Sequence, residues 1–275
     1  MLPPPPDTQA APGARELLLK LLASRKEQAL SASEAIRAGA LFDIAPNNVR
    51  VALNRLLGSE LAETTGRGSY RLGSKGLALG HEISAWRHST ERLTAWSGHW
   101  IAVLGDVHGR SDRKALRSRD RALSLLGFRE LDPGLYIRPD NFSGSAAGVR
   151  ERLKDLGLAQ DIPVFLAQAF DAVREARART LWDRRLLELA YGQTRRQLEQ
   201  SLTRLPAMPL EAAAREAWLL GDRAIRQLVF DPLLPEPLVD GGSRQAFIEV
   251  LRRYDAAGVR LWEDYLQTAA ESHDT

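Results

Sequence analysis

The 275-residue sequence contains no cysteine and only two methionines. Without cysteine there is no disulfide, no thiolate nucleophile and no cysteine-ligated metal site, which is typical of proteins from reducing compartments. No apolar run approaches the roughly 20 residues that a membrane-spanning helix needs. The N-terminal stretch MLPPPPDTQAAPG lacks the basic and apolar segments of a secretory signal. We therefore expect a cytosolic protein with no membrane span and no cofactor.

A strong excess of one charge is also missing, because the net charge is only +3. The charges are nevertheless spread unevenly: residues 1–80 contain 10 Lys and Arg against 7 Asp and Glu, whereas residues 141–275 contain 18 against 20. A polyanionic partner is therefore allowed for the first part of the chain. It is not required, since most runs of charge are solvated faces.

The first part of the chain combines a flexible arm with short helices. Residues 1–13 are rich in proline and alanine and poor in apolar side chains, so we expect a disordered arm. The spacing of leucines predicts a first helix over Ala14–Leu22. Ser33 followed by Glu34 predicts the start of a second helix, which ends near Ala40.

A third helix and a hairpin complete this region. Pro46 suits a first helical position and introduces a helix predicted over Asn47–Ser59. The apolar face of that helix comprises Val49, Ala52, Leu53 and Leu56. In the segment LAETTGRGSYRLG, apolar and polar residues alternate on both sides of Gly66-Arg67-Gly68, which predicts a β-hairpin. Three helices followed by a basic hairpin predict a winged helix-turn-helix domain over residues 14–75.

In such a domain the third helix enters the major groove of DNA, where arginine and asparagine make bidentate contacts to base edges. The hairpin lies against the DNA backbone, where cations contribute affinity and salt dependence. The predicted DNA-binding residues are Asn47, Asn48, Arg50, Val51, Asn54, Arg55, Arg67, Arg71 and Lys75. Two alternatives stay open: the arginines only solvate a helical domain, or Arg71 pairs with Glu63 at the base of the hairpin.

The rest of the chain predicts two further domains. Residues 76–97 have loose helical spacing and predict a helical connector. Over residues 98–170 the elements follow the order strand, helix, strand, strand, helix, strand, which is that of a ferredoxin-like domain. Residues 171–275 are helical in pattern. Their helices are predicted over Ala176–Leu205, Leu210–Val229 and Ser243–Leu266, with a break at FDPLLPEPLVDGG. The fold class is therefore multidomain α+β.

Four segments, in this order, resemble the PaaX family of phenylacetate-degradation repressors: GRGSYRL, WSGHWIAVL, GFRELDPGLYIRPDN and DPLLPEPLVD. The resemblance extends from about Ala14 to Leu266. It implies a GntR-like winged helix, a central ferredoxin-like domain similar to a CRISPR adaptation nuclease subunit, and a helical C-terminal effector and dimerisation domain. It also implies a dimeric repressor of a catabolic operon, which phenylacetyl-coenzyme A releases in the best-known members.

The sequence departs from that family in two places. The N-terminal arm has no counterpart, and the residues after DPLLPEP read DGGSRQAF instead of the tryptophan-proline-glycine pattern expected of the phenylacetate regulator itself. The identity of the inducer is therefore not transferred by the resemblance.

One motif indicates an enzyme instead. GDVHG, which contains Asp106 and His108, is similar to the first metal-binding block of calcineurin-like phosphoesterases. A dinuclear site needs several more Asp, Asn and His ligands, whereas the sequence has five histidines and no second block of the right form. Asp106 also has the place of the metal-binding aspartate of the nuclease-like subunit, although capping of the next helix explains it more simply. A metal-dependent phosphoesterase or nuclease remains the alternative.

Candidate effector-binding residues come from two regions. Guanidinium groups suit the phosphates of coenzyme A, and aromatic side chains suit an aryl or acyl pocket. The candidates are Arg110, Arg113, Lys114, Arg117, Trp182 and Trp218. The alternative is structural: Asp112 and Asp120 pair with the cations, and the aromatics belong to the core.

Together these patterns predict a DNA-binding transcriptional regulator and not an enzyme. We expect a homodimer that binds a palindromic double-stranded operator and represses a catabolic operon for phenylacetate or a related compound. Phenylacetyl-coenzyme A or another acyl-coenzyme A thioester is the expected effector. A constitutive DNA-binding protein without an effector is the second alternative. No metal site is expected.

Overall fold

A computed structural model describes residues 11–25, 28–105, 113–158 and 162–268, which combine helices with β-strands and confirm the α+β class. The helices are α1 (Ala14–Ser24), α2 (Ala32–Ala40), α3 (Pro46–Gly58), α4 (Ser74–Ser84), α5 (Arg113–Leu125), α6 (Ser145–Asp155), α7 (Ala172–Arg179), α8 (Arg184–Arg204), α9 (Leu210–Val229) and α10 (Gly241–Gln267). The strands are β1 (Leu30–Ser31), β2 (Ala62–Gly66), β3 (Ser69–Leu72), β4 (Trp100–Leu104), β5 (Arg129–Asp132), β6 (Leu135–Pro139) and β7 (Val164–Ala167). No helix within these ranges is long and apolar enough to cross a membrane.

The chain divides into two compact units, each assembled from segments that are distant in sequence. Among the described residues, unit 1 combines everything up to Arg87 with Arg196–Arg226 and the residues from Glu249 onward. Unit 2 combines His88–Arg195 with Gln227–Ile248. The helical C-terminal part of the chain therefore contributes to both units.

Unit 1 contains the three predicted N-terminal helices and a three-stranded sheet. The strand order is β1-β3-β2, with β3 antiparallel to both neighbours. The start of α2 was predicted wrongly: Ser31, not Ser33, is the capping residue. Its hydroxyl accepts a hydrogen bond from the Glu34 backbone N–H, and the Glu34 carboxylate accepts one from the Ser31 N–H at 2.7 Å. Sequence spacing favoured Ser33, but only Ser31 stands three residues before a glutamate.

The core of unit 1 is shared between the N-terminal helices and the C-terminal helices. Leucines of α1, such as Leu17 and Leu18, are fully buried against the apolar faces of α2 and α3. The same cluster includes Trp262, Tyr265 and Leu266 of α10. The three-helix motif therefore does not close its own core; α9 and α10 complete it.

Unit 2 contains a four-stranded antiparallel sheet in the order β5-β6-β4-β7. The central strand β4 has the sequence WIAVL, and its first four residues are completely buried, as its uninterrupted apolar sequence requires. Helix α5 follows β4, and helix α6 follows β6. The observed element order is thus the predicted strand, helix, strand, strand, helix, strand.

Two of the family-like segments meet in the interior of unit 2. Arg138 on β6 is fully buried and donates hydrogen bonds to the Leu126 carbonyl and, at 2.8 Å, to the Asn141 side chain. Asn141 in turn donates to the Leu233 carbonyl at 2.7 Å. Burial, with the nearby charge of Arg152, lowers the pKa of Arg138 to about 9. GLYIRPDN and DPLLPEP are therefore structural partners.

Two helical predictions ended in the wrong place. The predicted helical connector is helical only to His88, through α4 and a 3₁₀ turn over Ala85–His88; turns follow from Ser89, and Gly98, at φ +91°, lies just before β4. The helix predicted over Ala176–Leu205 is broken into α7 and α8. At the break, Trp182 packs into the core and Asp183 accepts a hydrogen bond from the Leu186 N–H at 2.9 Å.

The capping box of α2 predicts a specific dependence of stability on pH. Burial by itself raises the pKa of Glu34, but hydrogen bonds from Arg25 and Ser31 outweigh it and leave the pKa below its ordinary value. The stabilisation is therefore complete above the ordinary pKa of about 4.3 and is lost as the pH falls through the lower pKa of the folded state.

We expect Glu34→Gln to lower the free energy of unfolding by about 1 kcal/mol at pH 7, with a smaller difference below about pH 4. Urea denaturation across this pH range measures it. Glu151→Gln, which removes an exposed partner of Lys154, is the matched control and should change little. A pH-independent loss for Glu34→Gln would contradict the assignment.

Gly127 and Gly157 allow a matched test of packing in unit 2. Both adopt positive φ angles, +74° and +80°. A Cβ atom at Gly127 would lie 2.7 Å from the Cα of Pro232, whereas one at Gly157 would meet nothing within 4 Å. We expect Gly157→Ala to cost about 1–2 kcal/mol of backbone strain and Gly127→Ala about 1–3 kcal/mol more. Equal losses in urea denaturation would show that the contact with Pro232 is unimportant.

Candidate nucleic-acid interface

Helix α3 begins where the sequence predicts and presents two chemically different faces. Ala45 precedes the helix, and Pro46 occupies its first turn, where the missing N–H costs nothing. Its buried face consists of Val49, Ala52, Leu53 and Leu56, as predicted. Its exposed face consists of Asn47, Asn48, Arg50, Val51, Asn54 and Arg55. All six DNA-binding residues predicted on this helix therefore lie together on one solvent-facing surface.

The cations on this surface have no partner within the described part of the chain. No hydrogen bond or ion pair joins the side chain of Arg50 or Arg55 to another described residue. Helix α3 contains no acidic residue that could neutralise them. The surface therefore combines amide groups, which both donate and accept, with guanidinium groups that are free to bind an anion.

The hairpin supplies a further free cation. Strands β2 and β3 are joined through Gly66-Arg67-Gly68, and Gly68 adopts a φ of +74°, which glycine tolerates at no steric cost. Arg67 is exposed and makes no contact with a charged group among the described residues. The hairpin tip therefore presents a guanidinium group to the solvent.

The two remaining predicted cations of the hairpin are ion-paired. Arg71 Nε lies 2.6 Å from Glu63, its cross-strand neighbour, and Lys75 Nζ lies 3.2 Å from Glu60. The alternative role offered for Arg71, pairing at the base of the hairpin, is thus the one observed. Both pairs are half-exposed, so each contributes about 0–1 kcal/mol and can exchange its carboxylate for a phosphate.

The turn between α2 and α3 is held by aromatic side chains of α9 and α10. Phe42 lies in this turn and is buried. Its ring stacks on Trp262 with centroids 6.3 Å apart and an interplanar angle of 11°, and it meets Trp218 at 6.0 Å. The Tyr265 hydroxyl donates a hydrogen bond to the Arg37 carbonyl of α2 at 3.1 Å. The position of α3 therefore depends on the C-terminal helices.

Sequence reasoning missed the role of Phe42. The turn FDIAP gave a signal for a loop but not for a buried ring, and the partners of Phe42 are about 175–220 positions away in the sequence. The spacing of the aromatic residues in α9 and α10 indicated that they are buried. It did not indicate that they pack against the N-terminal helices.

The predicted effector residues are not brought together. Trp182 belongs to unit 2, where its ring stacks on Trp100 at 6.1 Å and its indole N–H donates to the Gly127 carbonyl at 3.1 Å. Trp218 belongs to unit 1 and lines a cavity there. Arg117 is exposed on α5. Arg113 and Lys114 lie at the start of α5, and Arg110 lies outside the described residues.

The enzyme-like motif cannot be placed. Asp106 and His108 lie outside the described residues. Within the described ranges, no group of three or more His, Asp or Glu side chains could hold a metal ion. In α5, Asp120 pairs with Arg119 at 3.0 Å, which is not one of the candidate cations, and Asp112 lies outside the described residues, so the structural alternative stays a prediction.

Comparison with known proteins identifies the C-terminal part of the chain. Residues 182–264 match the family described as the PaaX-like protein C-terminal domain. No curated protein matches the sequence significantly.

A solved structure, the uncharacterized protein Rv0674 from Mycobacterium tuberculosis, is similar over most of its length. The structural match covers 93% of this chain and 97% of the Rv0674 chain, with a TM-score of 0.64 and 21% sequence identity. At that identity the likeness shows a shared fold. Because the PaaX family groups transcriptional regulators, the family match agrees with a regulatory role. The family match therefore confirms the resemblance to the PaaX family over residues 182–264, which are similar to its C-terminal domain.

Proposed function

We propose that this protein is a DNA-binding transcriptional regulator and that residues 14–75 are its winged helix-turn-helix domain. One observation carries the proposal: α3 exposes Asn47, Asn48, Arg50, Val51, Asn54 and Arg55 on one face, with no acidic residue in the helix. Asparagine and arginine are the side chains that make bidentate contacts to adenine and guanine in the major groove. The hairpin then places Arg67 where a phosphate contact is expected.

We further propose that the regulator works as a homodimeric repressor on a palindromic operator. The resemblance to PaaX repressors supports this, and a two-fold protein reads two half-sites one helical turn or a multiple apart. An acyl-coenzyme A thioester, with phenylacetyl-coenzyme A as the first candidate, is the proposed releasing effector. To weaken operator binding tenfold, it must favour the DNA-incompetent state by about 1.4 kcal/mol.

For residues 98–170 we propose a ferredoxin-like domain without catalytic function. The sheet order β5-β6-β4-β7 and the placement of one helix after β4 and one after β6 support this reading. The residues from 171 onward are proposed to bind the effector and to dimerise. A constitutive DNA-binding protein differs from this proposal in one respect only, because no effector changes its affinity.

The decisive experiment is binding of the full chain to the DNA upstream of its own coding sequence. Fluorescence anisotropy should give a dissociation constant at least about 10³-fold lower than for scrambled DNA of equal length and composition at physiological salt. Equal affinity for both DNAs would contradict a specific regulator.

Arg50 is expected to read a base. Arg50→Ala should weaken binding to the operator by about 1–3 kcal/mol and relax the preference at one base position, because a bidentate contact is lost. A panel of single-base operator variants measures this. Arg260→Ala, which removes an exposed cation from α10, is the control and should leave the operator profile unchanged. An unchanged base preference for Arg50→Ala would contradict the assignment of α3 as the base-reading helix.

Arg67 is expected to contact a phosphate. Arg67→Ala should weaken operator and scrambled DNA to a similar degree and reduce the slope of log affinity against log salt concentration by about 1. Anisotropy titrations measure this slope between about 50 and 200 mM salt. Over this range, affinity that comes from phosphate contacts falls steeply. A loss confined to the operator would instead make Arg67 a base-reading residue.

A further inference from the structure

Unit 1 contains a cavity of about 150 Å³ between α1, α4, α9 and α10 and the 3₁₀ turn after α4. Five of its lining residues come from α9 and five from α10. Four aromatic rings line it: Trp86, Trp218, Tyr254 and Trp262. An apolar cavity of about this volume accommodates a benzene ring, and aromatic walls favour a planar apolar occupant.

Among the described residues that line the cavity, every cation is paired with a carboxylate. Lys20 is ion-paired with Asp222, and Arg87 lies 2.6 Å from Asp255. The hydroxyl of Tyr254 forms a hydrogen bond with Ser201 at 2.9 Å, and burial raises the pKa of Tyr254 to about 12, so this ring is neutral at physiological pH. The formal charges of the lining balance. A buried ligand that carries its own unpaired charge would therefore lack a partner.

Two of the three helix glycines that line the cavity leave space in it. Gly221 lies in α9 and Gly258 in α10, where glycine is less favourable than alanine. A Cβ atom at either position would meet its nearest neighbour at 3.6 Å, on Tyr254 and Ala217 respectively, which is an ordinary contact. Backbone crowding therefore does not require glycine at these positions. Their effect is to leave space beside the aromatic rings.

The cavity wall also contacts the DNA-reading motif. Trp218 and Trp262 line the cavity on one side and pack against Phe42, in the turn before α3, on the other. The Lys20 ammonium of α1 lies 5.8 Å from the Trp218 ring centroid. A molecule that shifts either tryptophan would therefore act directly on the turn that positions α3.

We propose that this cavity binds an uncharged aromatic ring group and that its occupancy alters the affinity of α3 for DNA. Binding of the ring stands on the cavity alone, whereas its effect on DNA rests on the proposed function. The volume holds a ring and a few attached atoms. The nucleotide part of a coenzyme A thioester must consequently lie outside the cavity, while its uncharged aryl end occupies it.

The test measures ring binding by the full chain with isothermal titration calorimetry and tryptophan fluorescence, to which three lining tryptophans contribute. The probes are phenylacetamide, phenylacetate, cyclohexylacetamide and phenylacetyl-coenzyme A. We expect phenylacetamide to bind at least about tenfold more tightly than phenylacetate, because the free carboxylate brings an unpaired charge. It should also bind more tightly than cyclohexylacetamide, which has no aromatic ring.

Two variants locate the site. Gly258→Leu fills the cavity and should weaken phenylacetamide and phenylacetyl-coenzyme A at least about tenfold. Ala256→Leu adds the same side chain at an exposed position of α10 and should leave both affinities unchanged. Gly221→Ala introduces only an ordinary contact, keeps the chain folded and should weaken phenylacetamide to a smaller degree.

The outcomes separate the two proposals. If no neutral aromatic probe binds, if phenylacetate binds more tightly, or if Gly258→Leu leaves ring binding intact, the cavity assignment is overturned even when the chain binds its operator. If ring binding follows the expected pattern but changes no DNA affinity, the coupling to α3 is overturned. If the chain binds the ring but no specific DNA, the proposed function fails while the cavity assignment stands.

Discussion

The contact on which unit 1 depends is the packing of Phe42 against Trp218 and Trp262. The core around α1, α2 and α3 is not closed by these three helices alone. Here the missing wall comes from α9 and α10, more than 150 residues away in the sequence. Forces acting on the C-terminal helices are therefore transmitted to the turn that orients α3.

This shared core gives the proposed DNA-binding surface and the cavity a common physical basis. The exposed face of α3 carries chemistry for base edges, and its buried face belongs to the cluster that Trp262 and Tyr265 complete. Close-packed interiors do not deform continuously, so a small displacement at one wall is passed on to another. A regulator needs such a connection between a ligand and a DNA-reading helix.

In unit 2 the segments that resemble the PaaX family have structural roles. Arg138, Asn141 and Leu233 are linked by consecutive hydrogen bonds. The Trp182 indole N–H donates a hydrogen bond to the Gly127 carbonyl. A buried guanidinium held by carbonyl and amide oxygens is stabilised only while all of its partners are in place. These segments therefore have a packing role in unit 2.

Much of this was accessible from the sequence, and the rest was not for definable reasons. The helices α1 to α3, the hairpin and the exposed face of α3 follow from local spacing, Pro46 and Gly68, which act within a few residues. The cap at Ser31 was also accessible, because Ser31 stands three residues before Glu34 in a capping-box pattern that the prediction of Ser33 overlooked. The cavity and the role of Phe42 depend on contacts across the whole chain, and no local pattern encodes them.

The most direct test of this account is reciprocal linkage. The affinity of the full chain for phenylacetyl-coenzyme A is measured with and without saturating operator DNA, and the affinity for operator DNA with and without saturating thioester. Thermodynamic coupling requires both ratios to be equal. The account predicts that each ligand weakens the other by the same factor, of about tenfold or more. Two ratios of one would contradict the connection between the C-terminal helices and α3.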